Sequence, residues 1–368
     1  MVDTMALLPP FIRASRIPRK PSCLARELPA DDEVLLDAPD DRLGPALVAA
    51  AQGEYAAASA LLTATRASAD WENRDRYARR LAAFARSRDE WYEAWRTAAP
   101  HDPDALLVGA QLAVDRVWRS PARAELLREV SPLITAAAHG DLRDPVPWRI
   151  ALDHARGSNA GHKYFEELWE AAVRRAPHHY GCHVAAMRYL ASSWQGSLPA
   201  CFDFAELAAQ DAPADSLVQA LPARAAFSCL TDGQTDGPGD GPADSPADGP
   251  ADGRGPEVPR ERLDAAADRA IALSARFPAA DPWPAEVRNK LMYVLVRLER
   301  WTDAAEQLRQ IGPYATSFPW ERFSDDPLAG FLEIRYEIWD RIRDEARRRT
   351  TSPHPRSEHG ERARPGDH

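Results

Sequence analysis

Residues 189–204 read YLASSWQGSLPACFDF. On the N-terminal side, Tyr180, Val184, Met187 and Ala191 recur at helical spacing, and on the C-terminal side Cys201, Phe204, Ala205 and Ala208 do the same. The connection is so short that the two helices are expected to be antiparallel neighbours. Each residue in it has a structural role to offer. Gly196 is expected to turn the chain through a left-handed conformation, which costs glycine little. Ser197 is expected to cap the next helix, and Pro199 then falls in the first turn, where a missing N–H does no harm. Trp194 is expected to cover the open end of the hairpin. Only Gln195 has no structural task there.

The same periodicity extends outward. Phe165, Leu168, Trp169 and Ala172 fit i, i+3, i+4, i+7, as do Leu291, Val294, Leu295 and Leu298, and alternating strand patterns are absent. Asp-Pro pairs at Asp102-Pro103, Asp144-Pro145 and Asp281-Pro282 read as helix starts, with Asp as cap and Pro in the first turn. Abundant Ala and Leu point the same way. The fold class is therefore all-α.

A polar-polar-aromatic-x-x-Ala element recurs at Gly53-Glu54-Tyr55 with Ala58, Asp89-Glu90-Trp91 with Ala94, and Glu299-Arg300-Trp301 with Ala304. It resembles the turn and second helix of tetratricopeptide repeats, where an aromatic packs under the turn and a small Ala sits where two helices touch. The resemblance implies an α-α superhelix of antiparallel helix pairs. A second resemblance rests on Pro177, Tyr180, Leu190, Trp194, Gly196, Ser197, Phe204 and Ala205, over roughly residues 160–215. These resemble a bacterial domain family of unknown function with a Trp-Gly-Gly-Ser turn between helices. That family implies a tetratricopeptide-like domain and brings no established activity. Gln195 stands where its first glycine belongs, and Ser192 stands near its usual Pro.

The expected organisation has five parts. Residues 1–40 form a mostly irregular arm, 41–230 a helical-repeat domain, and 231–259 a disordered Pro/Gly/Asp-rich linker. Residues 260–345 are further helical repeats packing on the array, and 346–368 a disordered basic tail. The linker has no apolar face and its Asp residues repel one another, so burial cannot offset its ordering entropy. Its loose D-G-P-A repeat lacks the Gly-Gly-x-Gly spacing of a calcium-binding nonapeptide.

Among 368 residues, 45% are hydrophobic and 28% charged, a balance able to bury a core. The net charge of −10 argues against nucleic acid as a partner, because phosphate binding needs a positive surface. Only residues 1–27 and 346–368 are basic, each with a net +3, while 232–257 carries −6. Three of the 46 basic residues are Lys, and the Arg-, Ala- and Pro-rich usage suggests a GC-rich bacterial genome. No segment is long and apolar enough for a membrane span, and the N-terminal residues lack the order of a signal peptide, so a cytoplasmic protein is expected. The four cysteines, Cys23, Cys182, Cys201 and Cys229, form no C-x-x-C pair.

No nucleophile elbow, phosphate loop or dinucleotide fingerprint occurs, and no cofactor is implied. The densest chemistry is the cluster His178, His179, Cys182 and His183. Two imidazoles four residues apart share a helix face, which is the logic of a metal site. Yet Tyr180 stands where a zinc protease needs Glu, and Pro177 puts His179 at the helix edge. The expected function is a non-enzymatic scaffold for another protein or peptide, bound on a groove face near Tyr180, Arg188, Trp194 and Gln195. A metal protein or enzyme built on the His/Cys cluster is the alternative.

Overall fold

A computed structural model describes residues 28–191, 196–231 and 258–351. Trp194 and Gln195 lie outside the described residues, as do residues 1–27, 232–257 and 352–368. The described chain is almost entirely helical. Its helices are α1 (Leu43–Ala51), α2 (Ala56–Ala67), α3 (Trp71–Ser87), α4 (Glu90–Ala98), α5 (Pro103–Val117), α6 (Arg123–Gly140), α7 (Val146–Gly157) and α8 (His162–Arg175). They continue as α9 (Tyr180–Tyr189), α10 (Leu198–Asp211), α11 (Leu221–Leu230), α12 (Arg260–Ser274), α13 (Ala285–Arg297), α14 (Trp301–Ile311), the short α15 (Ser317–Trp320) and α16 (Pro327–Thr351). No helix among them is long and apolar enough to cross a membrane. The last helix runs to Thr351, past the start expected for the basic tail.

Consecutive helices from α1 to α14 pack on one another, α16 packs on α14 and α15, and in addition α3, α5, α7, α9, α11 and α13 each touch the next in that series. The predicted apolar stripes supply these contacts. Leu291, Val294, Leu295 and Leu298 of α13 are all buried. Three apolar clusters follow the chain. The first joins α1 to α5 around Leu62, Trp91 and Trp95. The second joins α3 and α5 through α9 around Ile150, Phe165 and Tyr189. The third joins α9–α11 to α12–α16 around Phe227, Leu291 and Trp320. The helical segments on either side of residues 232–257 therefore share one core.

Turn chemistry explains most helix starts. Asp102 caps α5 by accepting from the amides of Asp104 and Ala105. Ser197 caps α10 by accepting from Ala200 N at 3.2 Å, as its position suggested. Gly53 takes a left-handed φ of +87° between α1 and α2. Asp144 accepts from Val146 N but is buried, and Asp281 only turns the chain before α13, which begins at Ala285.

Three expectations change. Gly196 has no positive φ; it is glycine because a Cβ would lie 2.1 Å from the carbonyl oxygen of Leu190. The second aromatic-x-x-Ala copy does not bury its alanine. Ala94 is exposed, and Trp95 turns inward instead and stacks on Tyr55 at 5.9 Å. Strand structure is present although no alternation announces it. Residues Leu35–Leu36 (β1) pair in parallel with Tyr314–Ala315 (β2), and Asp37 accepts from Ser317 N at 3.0 Å. Arg335 donates to Pro29 O at 2.6 Å, so residues 28–40 form a strap across the far end of the chain.

Gly196→Ala is predicted to destabilise the protein by about 1–3 kcal/mol, the usual cost of overpacking. Urea unfolding checks this; a midpoint equal to that of the parent contradicts it.

Candidate functional site

The α3 sequence WENRDRYARRLAAFARS carries two stripes at helical spacing. Ala78, Leu81, Ala82 and Ala85 face the core. Glu72, Asp75, Arg76, Arg79 and Arg80 form the second stripe, at i, i+3, i+4, i+7, i+8, and line a recess of about 500 Å³. Tyr180, Gly181 and Val184 of α9 form another side of it, and Trp283 and Glu286 at the start of α13 a third. The strap supplies Asp37 and Asp40.

Ion pairs organise the walls. Asp40 accepts from Arg76 at 2.5 Å, and its other oxygen accepts from the amides of Arg42 and Leu43, holding the start of α1. Asp37 meets Arg80 at 3.4 Å. The Arg76 guanidinium also lies 5.9 Å from the Trp283 ring. Across the recess, Glu286 takes both Arg224, at 3.1 Å, and Lys290.

The floor is a buried charge network. Asp75 accepts from Arg149 Nε at 2.9 Å and pairs with Arg79 at 3.2 Å. Arg149 pairs in turn with Asp153, and Asp153 with Arg156. The neighbouring Arg74 points the other way, to Asp144 at 2.6 Å and Asp104 at 2.7 Å. Burial alone would raise the Asp75 pKa, but Arg149 and Arg79 outweigh it and hold the carboxyl well below the usual carboxylate range. Gly181 makes the approach possible, since a Cβ there would sit 2.3 Å from Asp75 Oδ2.

The His/Cys cluster is divided by this geometry. His179 stands at the N-cap of α9, with Nδ1 3.2 Å from Cys182 N, an acceptor for that amide only while the ring is neutral, and Nε2 facing Trp71 O at 3.3 Å. Glu72 accepts from Tyr180 N at 2.6 Å and holds the same helix start; burial raises its pKa. Burial penalises a charge on His179, but Cys182, Glu72 and Asp75 outweigh it and raise the ring to about 10. Nδ1 also lies 3.1 Å from Cys182 Sγ, so charging the ring exchanges the amide cap for a bond to sulfur. His183 faces elsewhere. Its Nδ1 donates to His179 O at 3.0 Å and its ring meets Trp169 edge-on at 5.0 Å. Burial lowers it to about 4, so it is neutral at pH 7. Cys182 is fully buried, so its sulfur presents no nucleophile to the recess. Among the described residues no group of three or more His, Cys, Asp or Glu is placed to hold a metal ion.

Of the residues expected on a groove face, Tyr180 opens on the recess, whereas Arg188 is 3% exposed and lies in the helix packing. Trp194 and Gln195 lie outside the described residues. The α3 stripe was the missed signal: five charged residues at core-like spacing on a helix that already has an apolar face. No protein-family model, curated protein or solved structure matches this chain.

The pH dependence has a definite sign. Asp75, with a depressed pKa, contributes stability above the ordinary carboxylate pKa near 4 that is lost as pH falls. His183, held neutral to about 4 against an ordinary value near 6.5, contributes stability that declines between those values. Between about pH 6 and 4 the Asp115, Glu72 and Asp144 carboxyls, raised by burial, act in the opposite sense, so the denaturation midpoint is predicted to fall below about pH 4, where Asp75 takes up its proton. Asp75→Asn should cost about 3–5 kcal/mol at pH 7, because Arg149 keeps a buried charge without its carboxylate. A midpoint constant from pH 7 to 3, with a cost under about 1 kcal/mol, contradicts this reading.

Proposed function

We propose that this protein is a tetratricopeptide-like superhelix of antiparallel helix pairs that acts, without catalysis, as a scaffold for a protein or peptide ligand. The repeat-like elements support that architecture. Gly53-Glu54-Tyr55 and Glu299-Arg300-Trp301 lie at helix–helix turns, and Ala58 and Ala304 are buried beyond them. Stacked helix pairs leave a concave face, and such arrays bind there; this step rests on fold analogy.

The observation that carries the reading is the recess itself. Segments more than 200 residues apart, α3 and the start of α13, bring Arg76, Arg79, Arg80 and Trp283 to one cavity. Paired Arg side chains beside aromatic groups suit a backbone and its mixed side chains better than they suit nucleic acid. Each Arg of the rim already faces a carboxylate, so the recess lacks the uncompensated positive surface that phosphates require. Aromatic and Arg anchors are also the residues that most often dominate protein interfaces.

Crosslinking in cells of the source organism, followed by quantitative recovery of the bound proteins, tests this. Trp283→Ala and Arg80→Glu are each predicted to lower recovery of the specific partner about tenfold, while Leu207→Ser, on the exposed side of α10, leaves it unchanged. Equal recovery by all three variants overturns the proposal.

A further inference from the structure

A second crevice, of about 570 Å³, lies between α4, α5 and α6, away from the recess. Its floor is the small-residue stripe Ala105, Gly109 and Ala113 of α5, and Leu106, Val130 and Leu133 form apolar walls. A stripe of small residues is ordinary helix packing. What distinguishes this one is Tyr92 of α4, which lines the crevice although only 5% exposed. Its hydroxyl stands over Gly109, where a Cβ would lie 2.1 Å from Oη. Among the described residues the hydroxyl has no hydrogen-bond partner.

Two arginines stand at the mouth. Arg96 donates from both Nε and Nη2 to Glu93, at 3.2 and 2.6 Å, and is thereby neutralised. Arg116 gives a single N–H to Asp89, at 3.0 Å, and that pair is half exposed. Burial raises the Tyr92 phenol, Arg96 lowers it, Glu93 raises it and Arg116 lowers it, which places all three charges within electrostatic reach of Oη. The crevice therefore combines an apolar body, one hydroxyl that faces it without a protein acceptor, and one cation with donors to spare.

We propose that this crevice binds a single small amphipathic carboxylate. Its apolar portion lies along Ala105, Gly109 and Ala113, and its carboxylate accepts from Tyr92 Oη and Arg116. A ligand that covers this hydroxyl displaces its water, so a ligand acceptor must replace the bond that water made. Apolar pockets with a few convergent polar groups are the usual form of small-molecule sites. The site is independent of the peptide recess and stands or falls separately.

Titration calorimetry of the full chain with decanoate, below its micelle-forming concentration, tests the assignment, with 1-decanol as the neutral probe. Saturable one-to-one binding of decanoate is expected, with decanol about tenfold weaker. Tyr92→Phe, which keeps the ring and its packing, should weaken decanoate about tenfold, and Arg116→Gln should abolish the preference over decanol. Thermal melts of both variants confirm that they fold. Absence of saturable decanoate binding to the parent protein, or equal affinity in parent, Tyr92→Phe and Arg116→Gln, overturns the proposal.

Discussion

The buried pair between Asp75 of α3 and Arg149 of α7 is the contact on which the arrangement of the site depends. Two charges taken out of water are expensive, and attraction compensates only when the remaining lone pairs and N–H groups are also met. Here Asp75 has Arg79 as a second cation and Arg149 has Asp153 as a second anion. Arg74, one residue earlier, draws Asp104 and Asp144 to the other side of the same helix. Adjacent residues on α3 are thus locked to α5, α7 and the turn before α7. A rotation of α3 would strand several buried charges at once. With α3 fixed, its Glu72–Arg80 stripe has one place to face, and that place is the recess.

The recess needs a second boundary, and the strap gives it. Residues 28–40 reach the C-terminal part through the β1–β2 pair, through Asp37 on Ser317, and through Pro29 on Arg335. The same strap returns to α3 through Asp40 on Arg76 and Asp37 on Arg80. The start of α13, with Trp283 and Glu286, is therefore held opposite α3 by contacts that close the chain on itself. The strap's two aspartates serve architecture and lining together.

The helical class was legible because burial on one face writes a 3.6-residue period into apolar positions, as at Leu291, Val294, Leu295 and Leu298. Ser197 and Asp102 were legible because capping is local chemistry. What escaped was non-local. The strand pair joins residues about 280 apart and spans two residues each, too short for alternation to show. Gly196 answers to a backbone carbonyl in the preceding helix rather than to its own dihedral angle. Ala94, which the repeat pattern would bury, is exposed, and the next residue, Trp95, packs inward on Tyr55. Tyr180, which its motif singled out, lines the recess, but nothing in the sequence singled out the α3 stripe. Charged residues at helical spacing read as a solvated face unless their partners in α5 and α7 are known. The His/Cys cluster shows the converse: residues adjacent in sequence are set apart, His179 at the start of α9 and His183 against Trp169, which spacing alone does not reveal.

If the Asp75–Arg149 contact sets the position of α3, the two residues must be strongly coupled. A double-mutant cycle with Asp75→Asn and Arg149→Met, read by urea unfolding, measures that coupling directly. The structure predicts an interaction energy of about 2–3 kcal/mol, at the upper end for residues in one network. A value within about 0.5 kcal/mol of zero, the range of independent sites, would contradict the account.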